Sequence, residues 1–323
     1  MQVTKKIRNL FLSLLSGLGL SGCSAPRISG NEITEDMPFY QMSELEEFDG
    51  IFDDLMLGND WLYKATPKTM TRKIPAWNTK DCVYGMKSLS SQAKSGVVHY
   101  EIYFPEKIQS DQRYAEAGLY CLHSQSTERK PYVLLLAGGG FSGVCTPVES
   151  LPAAAKFNEL GYTAFAMTYR ISSHFGKKNE PDTLMEDIAA AVRFIEANSE
   201  ELSVLTDNYL IGGFSAGSVA VNMWGNKGIG YDKWLATKPG CICLMYGIET
   251  ANFDTEFPKT FVRFCKDDQY FDDSVYTDAI SYFNQHHIRY DGKKVDCLHG
   301  FGLGSSTDAE GWVNEAISFW NQE

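Results

Sequence analysis

The chain has 323 residues and a formal net charge of −12, from 29 Lys and Arg against 41 Asp and Glu. Its hydrophobic fraction of 44% and charged fraction of 22% are ordinary for globular proteins, so a disordered, collagen-like or polytopic membrane protein is excluded. The acidic balance also argues against nucleic acid as a partner, because binding to phosphate backbones needs a cluster of cations.

The first residues have the pattern of a sorting signal. Three cations within the first eight residues precede an apolar run over residues 10–20, which is shorter than the roughly 20 residues that span a bilayer. The run leads into Leu-Ser-Gly-Cys at positions 20–23, which resembles the lipobox of bacterial lipoproteins. We expect removal of residues 1–22, acylation of Cys23 and an extracytoplasmic protein anchored to a membrane by lipid alone. An ordinary secretory signal with an incidental cysteine is the alternative.

The seven cysteines that follow Cys23 favour free buried thiols. An odd number cannot all pair within one chain, and no two stand in a Cys-x-x-Cys spacing. Four of them lie in or beside apolar runs, where cysteine behaves as a small hydrophobe: Cys241, Cys243, Cys265 and Cys297. The sequence predicts no metal site, no cofactor and no disulfide framework.

The rest of the chain divides into an N-terminal stretch and one larger domain. Residues 24–50 are polar and acidic without periodicity, which predicts a tether between membrane and domain. Residues 51–95 carry too many aromatic residues for a linker and predict a segment packed on the main domain. Together, residues 23–95 therefore precede a domain of residues 96–323.

From residue 96 onward, apolar strands alternate with helices. Strands are predicted over 97–104, 119–123, 132–137, 162–169, 209–213, 241–247, 261–265 and 293–298. Helices are predicted over 151–160, 181–197, 216–224, 274–286 and 310–321. This alternation indicates an α/β fold with a mostly parallel sheet covered by helices on both faces. Ligands of such sheets bind at the carboxyl ends of the strands, so the residues there carry the function.

A Gly-x-Ser-x-Gly motif stands between a predicted strand and a predicted helix. It consists of Gly213, Phe214, Ser215, Ala216 and Gly217. A serine in this context sits on a sharp turn that the glycines permit, and the amide after it points toward a developing oxyanion. A glycine-rich turn without chemistry is the alternative, and the strand before and helix after weaken it.

Three consecutive glycines end an earlier predicted strand. Gly138, Gly139 and Gly140 let neighbouring amides face one point, which is what an oxyanion hole needs. A Walker loop would continue with Lys and Ser or Thr, and Phe-Ser follows here. A dinucleotide-binding Gly-x-Gly-x-x-Gly fits formally as far as Gly143, but no acidic residue ends the next strand.

A nucleophilic serine needs a general base, and the base needs an acid that orients it. Of the six histidines, His299 alone follows the last predicted strand. Between Ser215 and His299, the strand over 261–265 leads into Asp267 and Asp268, either of which can be the acid. The resulting order of serine, acid and histidine is the chain order of α/β-hydrolases.

With these motifs, residues 96–323 resemble a catalytic domain of the α/β-hydrolase superfamily. The domain resembles carboxylesterases near the hormone-sensitive-lipase-like and acetyl-xylan-esterase-like groups. The resemblance implies that Ser215 is the nucleophile and His299 the base. It favours Asp268 over Asp267 as the acid, because the family's acid is followed three positions later by an apolar residue.

The resemblance further assigns the oxyanion hole to the amides of Gly139, Gly140 and Ala216. The chain departs from the family at Ala137, where a histidine usually braces the glycine loop by hydrogen bonding. This departure puts the rigidity of the loop in doubt more than the chemistry.

The implied activity is a serine carboxylic-ester hydrolase that removes short, acetyl-type groups from carbohydrate or small esters. Only residues 249–260 separate the sixth strand from the next, so no lid fits there. Six aromatic residues near the expected active face could stack on sugar rings, although core packing is favoured for each: Phe141, Trp224, Tyr231, Trp234, Tyr270 and Phe271. The alternatives are a serine peptidase of the prolyl-oligopeptidase type and a non-catalytic binding lipoprotein of the same fold.

Overall fold

A computed structural model describes residues 32–171, 180–249 and 253–322. The predicted signal of residues 1–22 and the lipidation residue Cys23 lie outside the described residues. In the part of the chain that the model describes, no helix is long and apolar enough to cross a membrane.

One eight-stranded sheet forms the centre of the molecule. Its strands are β1 (His99–Glu101), β2 (Gly118–Leu122), β3 (Lys130–Leu136), β4 (Ala164–Thr168), β5 (Val204–Phe214), β6 (Cys241–Met245), β7 (Thr260–Cys265) and β8 (Tyr290–Val295). They lie in the order β1-β2-β4-β3-β5-β6-β7-β8. β2 pairs antiparallel with β1 and β4, and all other neighbours are parallel. The predicted α/β class with a mostly parallel sheet is confirmed.

Ten α-helices occur in the described residues. They are α1 (Phe39–Ser43), α2 (Phe52–Leu55), α3 (Pro67–Met70), α4 (Thr79–Ala93), α5 (Pro105–Ser110), α6 (Ser150–Glu159), α7 (Glu180–Ala197), α8 (Ala216–Gly225), α9 (Asp273–Gln285) and α10 (Trp312–Trp320). Short 3₁₀ turns cover Glu46–Phe48, Asp60–Leu62 and Gln112–Glu116. The five predicted helices correspond to α6 to α10, whose ends differ from the predictions by one or two residues.

Successive residues of the strands point into two separate apolar layers, as the two-residue period of a strand requires. In β3, for example, Val133 and Leu135 belong to one layer, and Leu134 and Leu136 to the other. The first layer is closed by α6, α10 and the N-terminal segment, which comprises residues 32–95. The second layer is closed by α7, α8 and α9. Both faces of the sheet are therefore covered, so an accessible site is left at the strand ends.

Residues 32–50 belong to the first layer, which corrects the predicted tether for this part of residues 24–50, whereas residues 24–31 lie outside the described residues. Within residues 32–50, the side chains of Phe39, Met42, Leu45 and Phe48 are fully buried. Their spacing of three residues follows short helical turns, in which Glu44 and Glu46 are exposed. Such turns are too brief to produce the helical periodicity on which the prediction relied.

Residues 51–95 also pack on the domain, as their aromatic content predicts. The hydroxyl of Tyr120 in β2 donates a hydrogen bond to the carbonyl of Ile51. Helix α4 lies so close to α6 that a Cβ at Gly85 would come within 2.8 Å of the backbone nitrogen of Pro152. The segment and the sheet thus share one hydrophobic core.

Candidate active site

Ser215 lies on a strained turn between β5 and α8. Its φ of 50° and ψ of −118° are rare for a residue with a side chain. A Cβ at Gly213 would be 2.1 Å from the carbonyl oxygen of Gly217, and one at Gly217 would be 2.3 Å from that of Leu136. Only glycine fits at both positions, and the strand and helix on either side hold the serine at the edge of the sheet.

The three residues predicted to act together are hydrogen-bonded in series. The Nε2 atom of His299 lies 2.8 Å from the Oγ atom of Ser215. Its Nδ1 atom lies 2.8 Å from the Oδ2 atom of Asp268. Because a carboxylate can only accept, Nδ1 carries the proton, and this leaves Nε2 free to accept from the serine hydroxyl.

The two aspartates differ in their geometry relative to His299. The side chain of Asp268 is buried, and its Oδ1 atom accepts hydrogen bonds from the amides of Tyr270 at 2.9 Å and Phe271 at 3.1 Å. Its other oxygen is thereby directed at His299. Asp267 is exposed, has a φ of 53° and makes no hydrogen bond to His299 in the described part of the chain.

Aromatic rings surround the imidazole of His299. The ring centroid of Tyr270 is 4.6 Å away and that of Tyr246 is 4.9 Å away, both edge to face, and Phe271 stacks at 5.9 Å. The His299 side chain is almost fully buried. This packing restricts rotation of the imidazole, while Tyr270, with 70% of its surface exposed, borders the solvent side.

The other aromatic residues proposed for sugar stacking belong to the core. Trp224 is fully buried, and its Nε1 atom donates to the hydroxyl of Tyr209 at 2.9 Å. Tyr231 is also buried, and Phe141 and Trp234 are half-buried against the second layer. Core packing, the interpretation favoured from the sequence, holds for these four residues.

The glycine loop after β3 lies directly against the serine. A Cβ at Gly138 would be 2.7 Å from the Cβ of Ser215, so the loop approaches closer than any side chain would allow. Gly139 and Gly140 both have positive φ, at 131° and 61°. Across residues 32–171, 180–249 and 253–322, no hydrogen bond uses the amides of Gly139, Gly140 or Ala216. Since Ala216 opens α8, its free amide is expected for a first helical residue.

A buried carboxylate, which the sequence analysis missed, braces this loop. Glu149 is fully buried, and its Oε2 atom accepts the amide hydrogen of Gly138 at 2.6 Å. Its Oε1 atom accepts the hydroxyl hydrogen of Tyr246 at 3.0 Å. Burial raises the pKa of Glu149 to about 7, although these two hydrogen bonds and the nearby His299 favour its ionised form. A lone acidic residue within the apolar stretch 144–157 was the available signal in the sequence.

Tyr246 connects this carboxylate to the histidine loop. Its hydroxyl accepts a hydrogen bond from the amide of Gly302 at 3.3 Å, and its ring packs on His299 and on Phe301. Glu149 therefore links the glycine loop to the loop that carries the base. The glycine loop is thus braced by Glu149, although Ala137 stands where the resemblance leads one to expect a histidine.

The N-terminal segment borders both of these loops. The amide of Val144 donates to the carbonyl of Leu57 at 2.9 Å, and the Asn59 side chain donates back to the Val144 carbonyl at 2.9 Å. On the other side, the hydroxyl of Ser305 donates to Asp81 at 2.6 Å. A cleft of about 230 Å³ lies between the segment and the base, lined by Ile74, Pro75, Ala76, Asp267, Gln269, Cys297, Leu298 and His299.

A buried ion pair stands apart from this chemistry. Arg170 and Asp187 are buried, and the Nε atom of the arginine donates to the aspartate at 2.8 Å. The hydroxyl of Tyr103 also donates to Asp187, at 2.7 Å. The pair joins the end of β4 to α7 and has a structural role. No group of three His, Cys, Asp or Glu in the described ranges could hold a metal ion.

The chain matches the BD-FAE family model over residues 119–232. This match covers roughly a third of the chain, from β2 to beyond α8. It includes the glycine loop and Ser215 and ends before Asp268 and His299.

One curated protein shares a shorter stretch. The chain is 34% identical over 99 residues to endo-1,4-beta-xylanase B of Butyrivibrio fibrisolvens. The stretch is 30% of this chain and only 15% of the xylanase, so most of that enzyme has no counterpart in the alignment.

Solved structures share the architecture at low sequence identity. A sugar hydrolase from Lactococcus lactis superposes with a TM-score of 0.53 and 18% identity, over 63% of this chain and 93% of that one. An esterase from the Planctomycetes species Thermogutta terrifontis, solved with propionate bound, gives 0.52 and 17%, over 63% and 88%. Together with the strand order and the turn at Ser215, these likenesses establish the α/β-hydrolase fold.

Because, among the described residues, Asp268 is hydrogen-bonded to His299 and Asp267 is not, substitutions of the two aspartates should have very different effects on kcat. Asp268→Asn should lower kcat for ester hydrolysis by about 10³- to 10⁴-fold, because an amide at this position stabilises the wrong tautomer of the imidazole. Asp267→Asn, the matched control at the neighbouring exposed position, should stay within about threefold of the wild type. Steady-state kinetics of both variants on one ester measure these effects. Equal losses of kcat would contradict the assignment of Asp268 as the acid that orients His299.

The raised pKa of Glu149 predicts a pH-dependent stability difference from Glu149→Gln. Between its ordinary pKa of 4.5 and about 7, the folded protein keeps a proton that the unfolded chain has released. The free energy of unfolding of the wild type should therefore fall with rising pH in this window, by roughly 3 kcal/mol relative to the variant, which does not titrate. Urea unfolding of both proteins from pH 4 to pH 8 measures the difference. A difference that is flat over this range would mean that Glu149 is ionised in the folded protein at pH 5.

Proposed function

We propose that the protein is a serine esterase that hydrolyses carboxylic esters through an acyl-enzyme. The observation that carries this proposal is the continuous hydrogen-bond series from Ser215 through His299 to Asp268, beside a loop with free amides. Each group has a geometry suited to one part of acyl transfer. The fold relationship and the BD-FAE match over residues 119–232 support the same reaction class.

In the first half-reaction, the Oγ atom of Ser215 attacks the ester carbonyl carbon as its proton passes to Nε2 of His299. Asp268 holds the opposite N–H and stabilises the imidazolium that forms. Collapse of the tetrahedral intermediate breaks the bond to the alcohol oxygen, which takes the proton from His299. In the second half-reaction, His299 activates water in the same way and the acyl group leaves as a carboxylic acid.

The negative charge of the tetrahedral intermediate needs donors that are already in place. The free amides of Gly139, Gly140 and Ala216 are the candidates beside Ser215. Such donors stabilise the intermediate strongly because they need no reorganisation, and removal of one donor costs about 10²- to 10³-fold in kcat in other enzymes. Glu149 contributes indirectly, because its hydrogen bond to Gly138 holds the backbone on which two of these amides lie.

The two alternative functions have less support. A peptidase of the prolyl-oligopeptidase type would carry a propeller, whereas the described residues 32–98 form helices and turns and contain no strand. A non-catalytic binding protein would have no need for a buried acid, an oriented imidazole and a strained serine in hydrogen-bond contact. The serine esterase is therefore the function that the geometry supports best.

We place the substrate among short acyl esters, with acetylated carbohydrate as the favoured class. Only 14 residues, 246–259, lie between β6 and β7, which leaves little chain for a lid over a long acyl group. The exposed ring of Tyr270 borders the base and offers a surface on which a sugar ring of the alcohol could stack. The shared stretch with a xylanase and the propionate in an esterase of the same fold support this choice.

We further propose that the protein is a lipoprotein acylated at Cys23 and located outside the cytoplasm. The support is the sequence motif alone: a cationic start, an apolar run and Leu-Ser-Gly-Cys in register at its end. An acylated Cys23 would lie nine residues before the first described residue, Glu32, so the domain would sit close to the membrane surface.

The nucleophile is tested by Ser215→Ala. This variant should fold normally and lose about 10³-fold or more in kcat, because only oxyanion stabilisation and substrate binding remain. A fluorophosphonate should label the wild type at Ser215 and leave the variant unlabelled. Ser281→Ala, on the exposed face of α9, is the matched control and should keep both labelling and turnover. Undiminished turnover in Ser215→Ala would disprove the assignment.

The acyl preference is tested with p-nitrophenyl esters from acetyl to dodecanoyl, which share one leaving group. In a deep apolar pocket each methylene contributes about 0.8 kcal/mol, or about fourfold in kcat/KM. We expect no such rise here, and a maximum of kcat/KM between acetyl and butyryl followed by a decline. A maximum at octanoyl or longer would show that the N-terminal segment forms an apolar cover and would favour a lipase.

The lipid anchor is tested by Cys23→Ala in the full chain, expressed in a bacterium that processes lipoproteins. The variant should move from the membrane fraction to the soluble extracytoplasmic fraction, as judged by immunoblotting of fractionated cells. Ser24→Ala is the adjacent control and should remain with the membrane. Retention of Cys23→Ala in the membrane would indicate an uncleaved apolar anchor instead.

A further inference from the structure

Two thiols lie against each other at the ends of neighbouring strands. Cys265 is the last residue of β7, and Cys297 follows β8 by two residues. Their sulfur atoms are 3.0 Å apart. Both cysteines are reduced in the structure, and the sulfurs would have to approach by about 1 Å to reach the disulfide bond length of about 2.05 Å.

The pair stands at the base of two loops that carry the candidate active site. Cys265 precedes Asp268 by three residues, and Cys297 precedes His299 by two. The backbone is already joined at this level, because the amide of Lys266 donates to the carbonyl of Val295 at 2.9 Å. A covalent link at this point would fix the two loops whose separation determines the hydrogen bond between Asp268 and His299.

The two thiols differ in their access to a reagent. Cys265 is fully buried, and its contact with Cys297 together with burial raises the pKa of the Cys265 thiol, so that it stays protonated. Cys297 is half-buried and lines the cleft formed with Ile74, Pro75 and Ala76. A small oxidant can therefore reach Cys297 first, and Cys265 is placed to resolve the product.

We propose that Cys265 and Cys297 form an intramolecular disulfide by exchange with a small disulfide oxidant, and that this bond ties the acid loop to the base loop. The Cys297 thiolate attacks the oxidant, forming a mixed disulfide and releasing one oxidant thiol. Cys265 then attacks the Cys297 sulfur and passes its proton to the departing oxidant sulfur, which leaves as the second oxidant thiol. The protein loses two electrons and two protons, and the oxidant takes up all four and is reduced to two thiols.

The bond would matter most outside the cytoplasm, where disulfides persist. It would close a loop between residues 32 positions apart, and cross-links of this span stabilise folded proteins chiefly by restricting the unfolded chain. The functional consequence rests on the proposed esterase activity, whereas formation of the bond does not.

The test uses the full chain, incubated under non-denaturing conditions with oxidised glutathione and then alkylated, digested without reduction and examined by mass spectrometry. The expected product is a linked peptide pair containing Cys265 and Cys297, which disappears after treatment with dithiothreitol. Cys297→Ser should abolish this product, and Cys82→Ala, a control in helix α4, should retain it. Alkylation of both residues, or a glutathione adduct that remains on Cys297, would overturn the proposal.

A second measurement tests whether the bond ties the loops. The Tm of the oxidised wild type should exceed that of the reduced protein by roughly 5 °C. In Cys297→Ser the same treatment should leave the Tm unchanged. An equal shift in the Tm of this variant would overturn the proposal that the disulfide ties the two loops. Because mass spectrometry detects the linked peptide directly, the disulfide can be demonstrated even if the protein does not hydrolyse esters. Its absence from an active esterase would refute the disulfide alone.

Discussion

The site depends on a close approach of three backbone segments around Ser215. Gly213, Gly217 and Gly138 lie where any Cβ would come within 2.1 to 2.7 Å of a neighbouring atom, so β5, α8 and the glycine loop meet without side chains between them. This contact holds the serine at a φ of 50° and sets Gly138 of the glycine loop against it. Strain of this kind costs about 1 to 3 kcal/mol, which the buried end of β5 and helix α8 on either side can sustain. The other parts of the site, His299 and Asp268, then need only reach the edge of the sheet at which the serine is presented.

Burial of the Glu149 carboxylate is energetically unfavourable, which makes its position between two active-site loops informative. Burial raises the pKa of Glu149 to about 7, so holding an ionised carboxylate at this position costs free energy. An apolar residue would avoid that cost, but it could not accept hydrogen bonds from Gly138 and Tyr246 at the same time. The carboxylate thus couples the loop that would bind the oxyanion to the loop that carries the base. Rigid placement of donors is what electrostatic catalysis requires, so the loss of stability is consistent with a functional role for Glu149.

Much of the fold and of the candidate site could be predicted from the sequence, because both depend on local patterns. Apolar strands identified the sheet, and Ser215, Asp268 and His299 were found at strand ends, where short-range turn chemistry is visible in the residues themselves. The antiparallel pairings of β2 and the burial of Phe39 and Phe48 could not be predicted, since they depend on contacts between distant segments. The role of Glu149 was missed for the same reason: its two partners lie 11 and 97 positions away, and no spacing marks them.

The central claim is that Ser215 becomes covalently acylated during turnover, and trapping of that intermediate tests it most directly. The wild-type protein would be mixed with an excess of p-nitrophenyl acetate, quenched in acid within one turnover and digested for mass spectrometry. The account predicts an acetyl group on the peptide that contains Ser215, together with a burst of p-nitrophenol equal to the enzyme concentration when deacylation is the slow step. Full turnover with no acetyl group at Ser215, in a protein that is also resistant to fluorophosphonate, would contradict the account.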